Sequence, residues 1–275
     1  MRKRVIAVLI VGAASFLLYD MLHSFVRNSI YPAPRVPVQP APSPLEEVSL
    51  DLATGERIVA WAYADPALPP DRPAVAFFHG NGENLETMRM AGLFEDLDQL
   101  QVAWIAVDYP GYGRSTGRAS EEGLQAASEA ALAWLGQSHP VRPHVLCGWS
   151  LGAATAIAAA ARHPEQVRGL IALSPWSSLA AVARIYFPEF MVRGLLRERY
   201  DSLDAAPRIR VPALVIHGET DSIIPVGQGK EVAAALAGPA KWVPVPKAGH
   251  NDLLARDEVW REMRRFLDEV AAPGA

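Results

Sequence analysis

The chain has 275 residues, half of them hydrophobic and 20% charged, with 26 Lys and Arg against 30 Asp and Glu for a formal net charge of −4. That composition supports a packed core and excludes a disordered chain, and mild acidity without a long basic run leaves no electrostatic footprint for nucleic acid. The single cysteine, Cys147, excludes an intramolecular disulfide and any Cys-pair zinc or redox motif.

Met1-Arg2-Lys3-Arg4 precedes an uncharged apolar run, Val5 to Tyr19, and apolar residues continue past Asp20 to Val26. The shorter run suits the core of a cleaved signal peptide. As a helix, Val5 to Val26 would reach about 33 Å, enough to cross a bilayer. The bulky Tyr19-Asp20-Met21-Leu22-His23 offers no small-residue cleavage site, so residues 1–30 are expected to form a signal anchor, with a cleaved signal peptide as the alternative. The cationic end would stay in the cytoplasm and the rest on the extracytoplasmic side, the periplasm in a Gram-negative bacterium. Residues 31–44 carry Pro32, Pro34, Pro37, Pro40, Pro42 and Pro44, which fix φ and remove donors, and they read as an extended, semi-rigid linker.

Residues 45–275 are long enough for one large domain. Two strands, Glu47 to Leu52 and Arg57 to Tyr63, flank the turn-forming Ala53-Thr54-Gly55-Glu56. Short apolar runs then alternate with helical stretches: strand Ala74 to Phe78, helix Leu85 to Leu97, strand Val102 to Val107, helix Glu121 to Leu135, strand Val145 to Cys147 and helix Leu151 to Arg162. Strand Gly169 to Leu173 follows, and after an interruption the alternation resumes with strand Ala213 to His217, helix Gln228 to Leu236, strand Trp242 to Val245 and helix Val259 to Val270. Buried strands alternating with helices predict an α/β fold with a mostly parallel central sheet and helices on both faces. The interruption, about residues 176–204, is rich in apolar and aromatic residues and is expected to be a short lid insertion.

Gly148-Trp149-Ser150-Leu151-Gly152 stands between a predicted strand and an Ala-rich helix. G-x-S-x-G in that context describes a sharp turn that presents a serine above a helix N-terminus, with glycines where strand and helix converge. A serine hydroxyl needs a base and a group to orient that base. His250 follows the last predicted strand and is the favoured base. Asp221, after strand Ala213 to His217, is its expected partner, with Glu219 and Asp252 as rivals. Backbone N–H groups of Leu151 and of Asn81, in Phe78-His79-Gly80-Asn81-Gly82, are expected to form an oxyanion hole, with His79 buttressing that loop. Trp149 and Trp176 are expected to line the pocket. Ile185, Tyr186, Phe187, Phe190, Met191, Leu195 and Leu196 are apolar residues of the insertion that would grip an acyl chain, whereas Cys147 reads as a buried apolar residue.

The chain order Ser150, Asp221, His250, with the Gly80 loop upstream, resembles the α/β-hydrolase superfamily over residues 45–270. Within it, Phe77 to Asn84, Asp108-Tyr109-Pro110-Gly111-Tyr112-Gly113-Arg114-Ser115 and Gly148 to Gly152 are similar to membrane-anchored serine hydrolases of the BEM46 and ABHD13/ABHD17 type, which in turn resemble the serine aminopeptidase S33 group. The resemblance implies that Asp108 to Ser115 forms a structural loop near the site, with Asp108 and Arg114 fixing one another or the backbone. It also implies a small departure at Gly82, where similar proteins often carry Ala.

The resulting expectation is a membrane-anchored serine hydrolase that cleaves carboxylic esters or thioesters of medium-chain or lipid-like acyl groups through an acyl-serine intermediate, with no cofactor, no metal and no nucleic-acid partner. A serine peptidase or amidase and a non-catalytic binding scaffold are the alternatives.

Overall fold

The structure, a computed structural model, describes residues 2–271. It opens on α1 (Arg2–Ile30), followed by the hairpin β1 (Glu46–Asp51) and β2 (Arg57–Tyr63). Then come β3 (Ala74–Phe78), α2 (Leu85–Met90), α3 (Leu93–Gln99), β4 (Ala103–Val107), α4 (Glu121–Ser138), β5 (His144–Trp149), α5 (Leu151–Arg162) and β6 (Gly169–Leu173). The insertion holds α6 (Leu179–Tyr186), α7 (Glu189–Leu195) and the single turn α8 (Ser202–Ala205). The chain closes with β7 (Ala213–Gly218), α9 (Val226–Ala235), β8 (Ala240–Val245) and α10 (Asp257–Ala271).

All eight strands form one sheet in the order β1-β2-β4-β3-β5-β6-β7-β8. β1 and β2 are antiparallel to their neighbours, and β3 through β8 run parallel to one another. Strands β3, β4 and β6 are buried along their whole length, because helices cover both faces. The side-chain alternation of a strand divides the core into two layers. Ala76, Phe78 and Leu146 pack with Leu124, Leu132 and Ile157 of α4 and α5 on one face. Phe77, Trp104 and Ile171 pack with Leu97, Met263 and Phe266 of α3 and α10 on the other. Helix α10 shows how pattern becomes packing: Val259, Met263, Phe266, Leu267 and Val270 are buried at helical spacing, each apolar side chain contributing about 1.5–3 kcal/mol.

The single helix expected over Leu85 to Leu97 is two. Asn84 closes a capping box with Thr87 at the start of α2, but Gly92 adopts φ +79°, which ends that helix and starts α3. Pattern alone hides this break, because Leu93, Phe94 and Leu97 still point to the core.

Residues 31–44 have no regular secondary structure and lie against the domain rather than clear of it. Tyr31 and Val38 are buried, Asn84 Nδ2 donates to Val36 O at 2.9 Å, and Glu86 accepts from Gln39 N at 3.2 Å. Among the described residues no helix is long and apolar enough to cross a membrane. The side chains of residues 2–11, 14, 15 and 18 lie outside the description, and much of the run Val5 to Tyr19 falls there.

Candidate active site

Strand register sets the site. Phe78 pairs with Gly148, Gly148 with Ala172, Leu173 with Ile216 and Gly218 with Val245, so the chain segments leaving β3, β5, β7 and β8 emerge along one rim. Backbone hydrogen bonds extend the order past the strand ends: Ser150 N donates to Leu173 O at 2.9 Å, and Glu219 N donates to Val245 O at 3.0 Å. Ser150 takes φ +57° and ψ −114°, a strained conformation at the junction of β5 and α5. Glycine is required on either side. A Cβ at Gly148 would sit 2.0 Å from Gly152 O, and one at Gly152 would sit 1.9 Å from Phe78 O.

Ser150, Asp221 and His250 meet on that rim. Ser150 Oγ lies 3.0 Å from His250 Nε2, and His250 Nδ1 lies 2.7 Å from Asp221 Oδ2. All three are buried, and the Trp149 ring flanks the imidazole with centroids 5.4 Å apart. Asp221 Oδ1 accepts from the backbone N–H groups of Ile223 and Ile224 at 2.9 and 2.8 Å. Burial raises the Asp221 pKa, but hydrogen bonds from His217, His250 and the Ile224 backbone outweigh it and hold the carboxyl well below the usual carboxylate range. The two rivals stand elsewhere: Asp252 caps Gly249 N at 2.7 Å and pairs with Arg256, and Glu219 is exposed.

His217 is the site residue that sequence reading passed over. It sits at the end of β7, fully buried, with Nε2 2.8 Å from Ile224 O and 3.2 Å from Asp221 Oδ2. Its N–H therefore holds the turn that carries Asp221, sharing the Oδ2 side of the carboxylate with His250. The residue reads as an ordinary strand-end histidine, and its spacing of four from Asp221 is the only local signal. His217→Ala is expected to lower stability by about 1–3 kcal/mol, the cost of stranding the buried Ile224 carbonyl, as read by urea denaturation.

The loop after β3 brings Asn81 to the same cavity as Ser150. Its carbonyl accepts from Tyr112 Oη at 2.8 Å, and its side-chain Nδ2 donates to Ile30 O at 3.2 Å. Hydrogen bonds among the described residues leave the N–H groups of Asn81 and Leu151 free. His79 is buried, with Nδ1 2.7 Å from Gly80 O and its carbonyl accepting from Tyr109 Oη at 2.7 Å. Asp108 accepts from Leu85 N at 2.9 Å and faces His79 Nε2 at 3.5 Å. Arg114 pairs with Glu47 rather than with Asp108, because it points out to the β1 edge while Asp108 is fully buried. Cys147 is buried in the strand, and desolvation pushes its thiol pKa up.

A cavity of about 650 Å³ opens above Ser150, within the range of ligand pockets. Trp149, Trp176, Tyr186 and Phe187 all line it, as do Met191, Leu195 and Leu196. Ile185 and Phe190 do not line it. One carboxylate, Glu83, also lines the cavity. Burial raises its pKa, partly offset by His79 and by the Gly80 N–H that it accepts at 3.2 Å.

A mostly parallel eight-stranded sheet with a serine at the β5–α5 turn and a His–Asp pair on the same rim defines the α/β-hydrolase class. Residues 73–196 match the family described as alpha/beta hydrolase fold. The uncharacterized protein Rv2307c of Mycobacterium tuberculosis is 35% identical over 98% of this chain and 96% of its own length. Protein bem46 of Schizosaccharomyces pombe is 28% identical over 94% of this chain and 90% of its own. In three dimensions the chain is similar to the Pyrococcus furiosus esterase Pf2001, with a TM-score of 0.71 at 18% identity over 87% of this chain and 97% of that one. The chain belongs to the α/β-hydrolase superfamily and, within it, to the BEM46/ABHD type.

Proposed function

We propose that this protein is a serine hydrolase that cleaves carboxylic esters or thioesters of lipid-like acyl groups through an acyl-Ser150 intermediate. The observation that carries the reading is the Ser150–His250–Asp221 relay, with separations of 3.0 and 2.7 Å, at the floor of a largely apolar cavity. Ser150 Oγ attacks the acyl carbonyl carbon while His250 Nε2 takes its proton. Asp221, kept ionised, orients the imidazole and stabilises the imidazolium. The Asn81 and Leu151 N–H groups receive the oxyanion, a task worth about 3–4 kcal/mol per donor. Collapse expels the alcohol or thiol, which takes the proton from His250. Water then repeats the sequence, releasing the acid and restoring Ser150. The apolar run upstream of Leu22 supports a membrane address for the enzyme.

The test is fluorophosphonate treatment of the full chain, with the adduct mapped by mass spectrometry, beside p-nitrophenyl esters from acetyl to palmitoyl and matching anilides. The expected result is an adduct on Ser150, with kcat/KM rising from acetyl to octanoyl and anilides far slower than esters. A folded protein that neither reacts nor turns over any ester sinks the hydrolase reading. Severalfold preference for acetyl over octanoyl ends the lipid-like part, and anilides cleaved as fast as esters would favour an amidase.

A further inference from the structure

The cavity above Ser150 is not built by the α/β domain alone. Leu22, Phe25, Val26, Ser29 and Ile30, on the last turns of α1, line it together with the insertion helices. Their spacing of three and four residues puts them on one helical face. Polar contacts tie these turns down. Arg27 Nε donates to Ala119 O at 3.0 Å, His23 Nδ1 lies 3.3 Å from Leu195 O on α7, and Asn81 Nδ2 caps Ile30 O. One residue further, the hydroxyls of Tyr31 and Tyr200 lie 2.8 Å apart. Higher up, Arg197 donates to Tyr19 Oη at 2.9 Å, beyond the cavity's end. The same side chain that caps α1 belongs to Asn81, whose N–H faces the reaction, so α1 and the loop after β3 are one assembly.

The apolar surface does not stop at the cavity. Phe16, Leu17 and Met21 on α1 are 69%, 67% and 63% exposed, and Phe190 on α7 is 75% exposed. Exposed apolar side chains on both α1 and α7, the two helices that also supply cavity lining, are the kind of surface an apolar ligand meets.

We infer that the last turns of α1 form one wall of an acyl-chain groove, so that a long-chain acyl ester lies between α1 and helices α6 and α7 with its carbonyl at Ser150. This deepens the ester-hydrolase reading by assigning chain-length selection to an element outside the catalytic domain. Three features favour a long chain over a compact substrate. A cavity of about 650 Å³ far exceeds what an acetyl group fills, its lining is largely apolar, and its single carboxylate is engaged by a backbone N–H. Val26 is the informative position, half-buried in the middle of the α1 stripe.

Two readouts on the full chain test the inference. The first is the ratio of labelling rates of Ser150 by dodecyl and ethyl fluorophosphonates. Val26→Trp fills the groove and is expected to lower that ratio by about tenfold or more, the loss of contact for a few methylenes at about fourfold each. Val141→Trp, at a 77% exposed position just before β5 and off the rim, is expected to keep the wild-type ratio. The second readout needs no reactive serine. Palmitate carrying a terminal diazirine, photoactivated on the protein, should insert into peptides spanning residues 16–30 and 179–196, and Val26→Trp should suppress that insertion.

An unchanged dodecyl-to-ethyl ratio in Val26→Trp, or insertion that spares residues 16–30, overturns the inference. Groove labelling by the palmitate probe in a protein that hydrolyses no ester would instead sink the hydrolase reading and leave the groove standing.

Discussion

Asp221→Asn is expected to lower kcat for ester hydrolysis by about four orders of magnitude, the size of a tautomer error in a Ser–His–Asp relay, with little change in fold. The present carboxylate accepts at every contact: Ile223 N and Ile224 N on Oδ1, and His250 Nδ1 and His217 Nε2 near Oδ2. The two backbone N–H groups claim the amide oxygen of an Asn, which leaves its NH2 facing His250. The imidazole then presents Nδ1 as acceptor and Nε2 as donor, so Nε2 can no longer take the Ser150 proton. Burst and steady-state kinetics on a p-nitrophenyl ester measure the effect, with circular dichroism reporting the fold. A loss of less than tenfold would show that Asp221 does not set the tautomer. The substitution also removes a pH dependence. The folded-state pKa of Asp221 is depressed, so its carboxylate adds stability that is fully present above about pH 4 and fades as acid titrates the folded form. The Asn variant should therefore show a flatter stability profile in acid than the parent.

Gly152→Val is expected to abolish the folded domain at ordinary temperature. The new Cβ would stand 1.9 Å from Phe78 O, a backbone atom of a strand buried along its whole length, and relief would require α5 to move away from the sheet. An enforced clash of that kind costs on the order of 4–5 kcal/mol or more, against a total stability of about 5–15 kcal/mol. Gly194→Ala in α7 is the matched control, because a Cβ there meets nothing within 4 Å. It should be neutral or gain about 0.5–1 kcal/mol from helix propensity. Thermal unfolding distinguishes the two. A Gly152→Val protein that melts within a few degrees of the parent would mean that the β5–α5 junction is looser than its geometry requires.

Local chemistry carried much of this protein in one dimension. Strands such as Ala74–Phe78 and Gly169–Leu173 announce themselves as short apolar runs, because a strand covered on both faces needs no polar side. Helix α10 is legible from five apolar residues at helical spacing. Gly148 and Gly152 are legible because a sharp turn leaves no room for Cβ, and the Ser150, Asp221, His250 order follows from each residue standing just past a strand end. The break at Gly92 was not legible, since the apolar spacing runs on across it. Only the tertiary structure brought together partners separated by long stretches of chain: Ser150 and His250 are 100 residues apart, and His217 faces an Asp221 that also faces His250. Tertiary structure alone decided that Arg114 pairs with Glu47 while Asp108 is buried, and that residues 31–44 lie on the domain. It also turned one face of α1 toward Ser150. A helix reads the same in sequence wherever its apolar stripe is buried, because periodicity specifies which face seeks cover and not what will cover it.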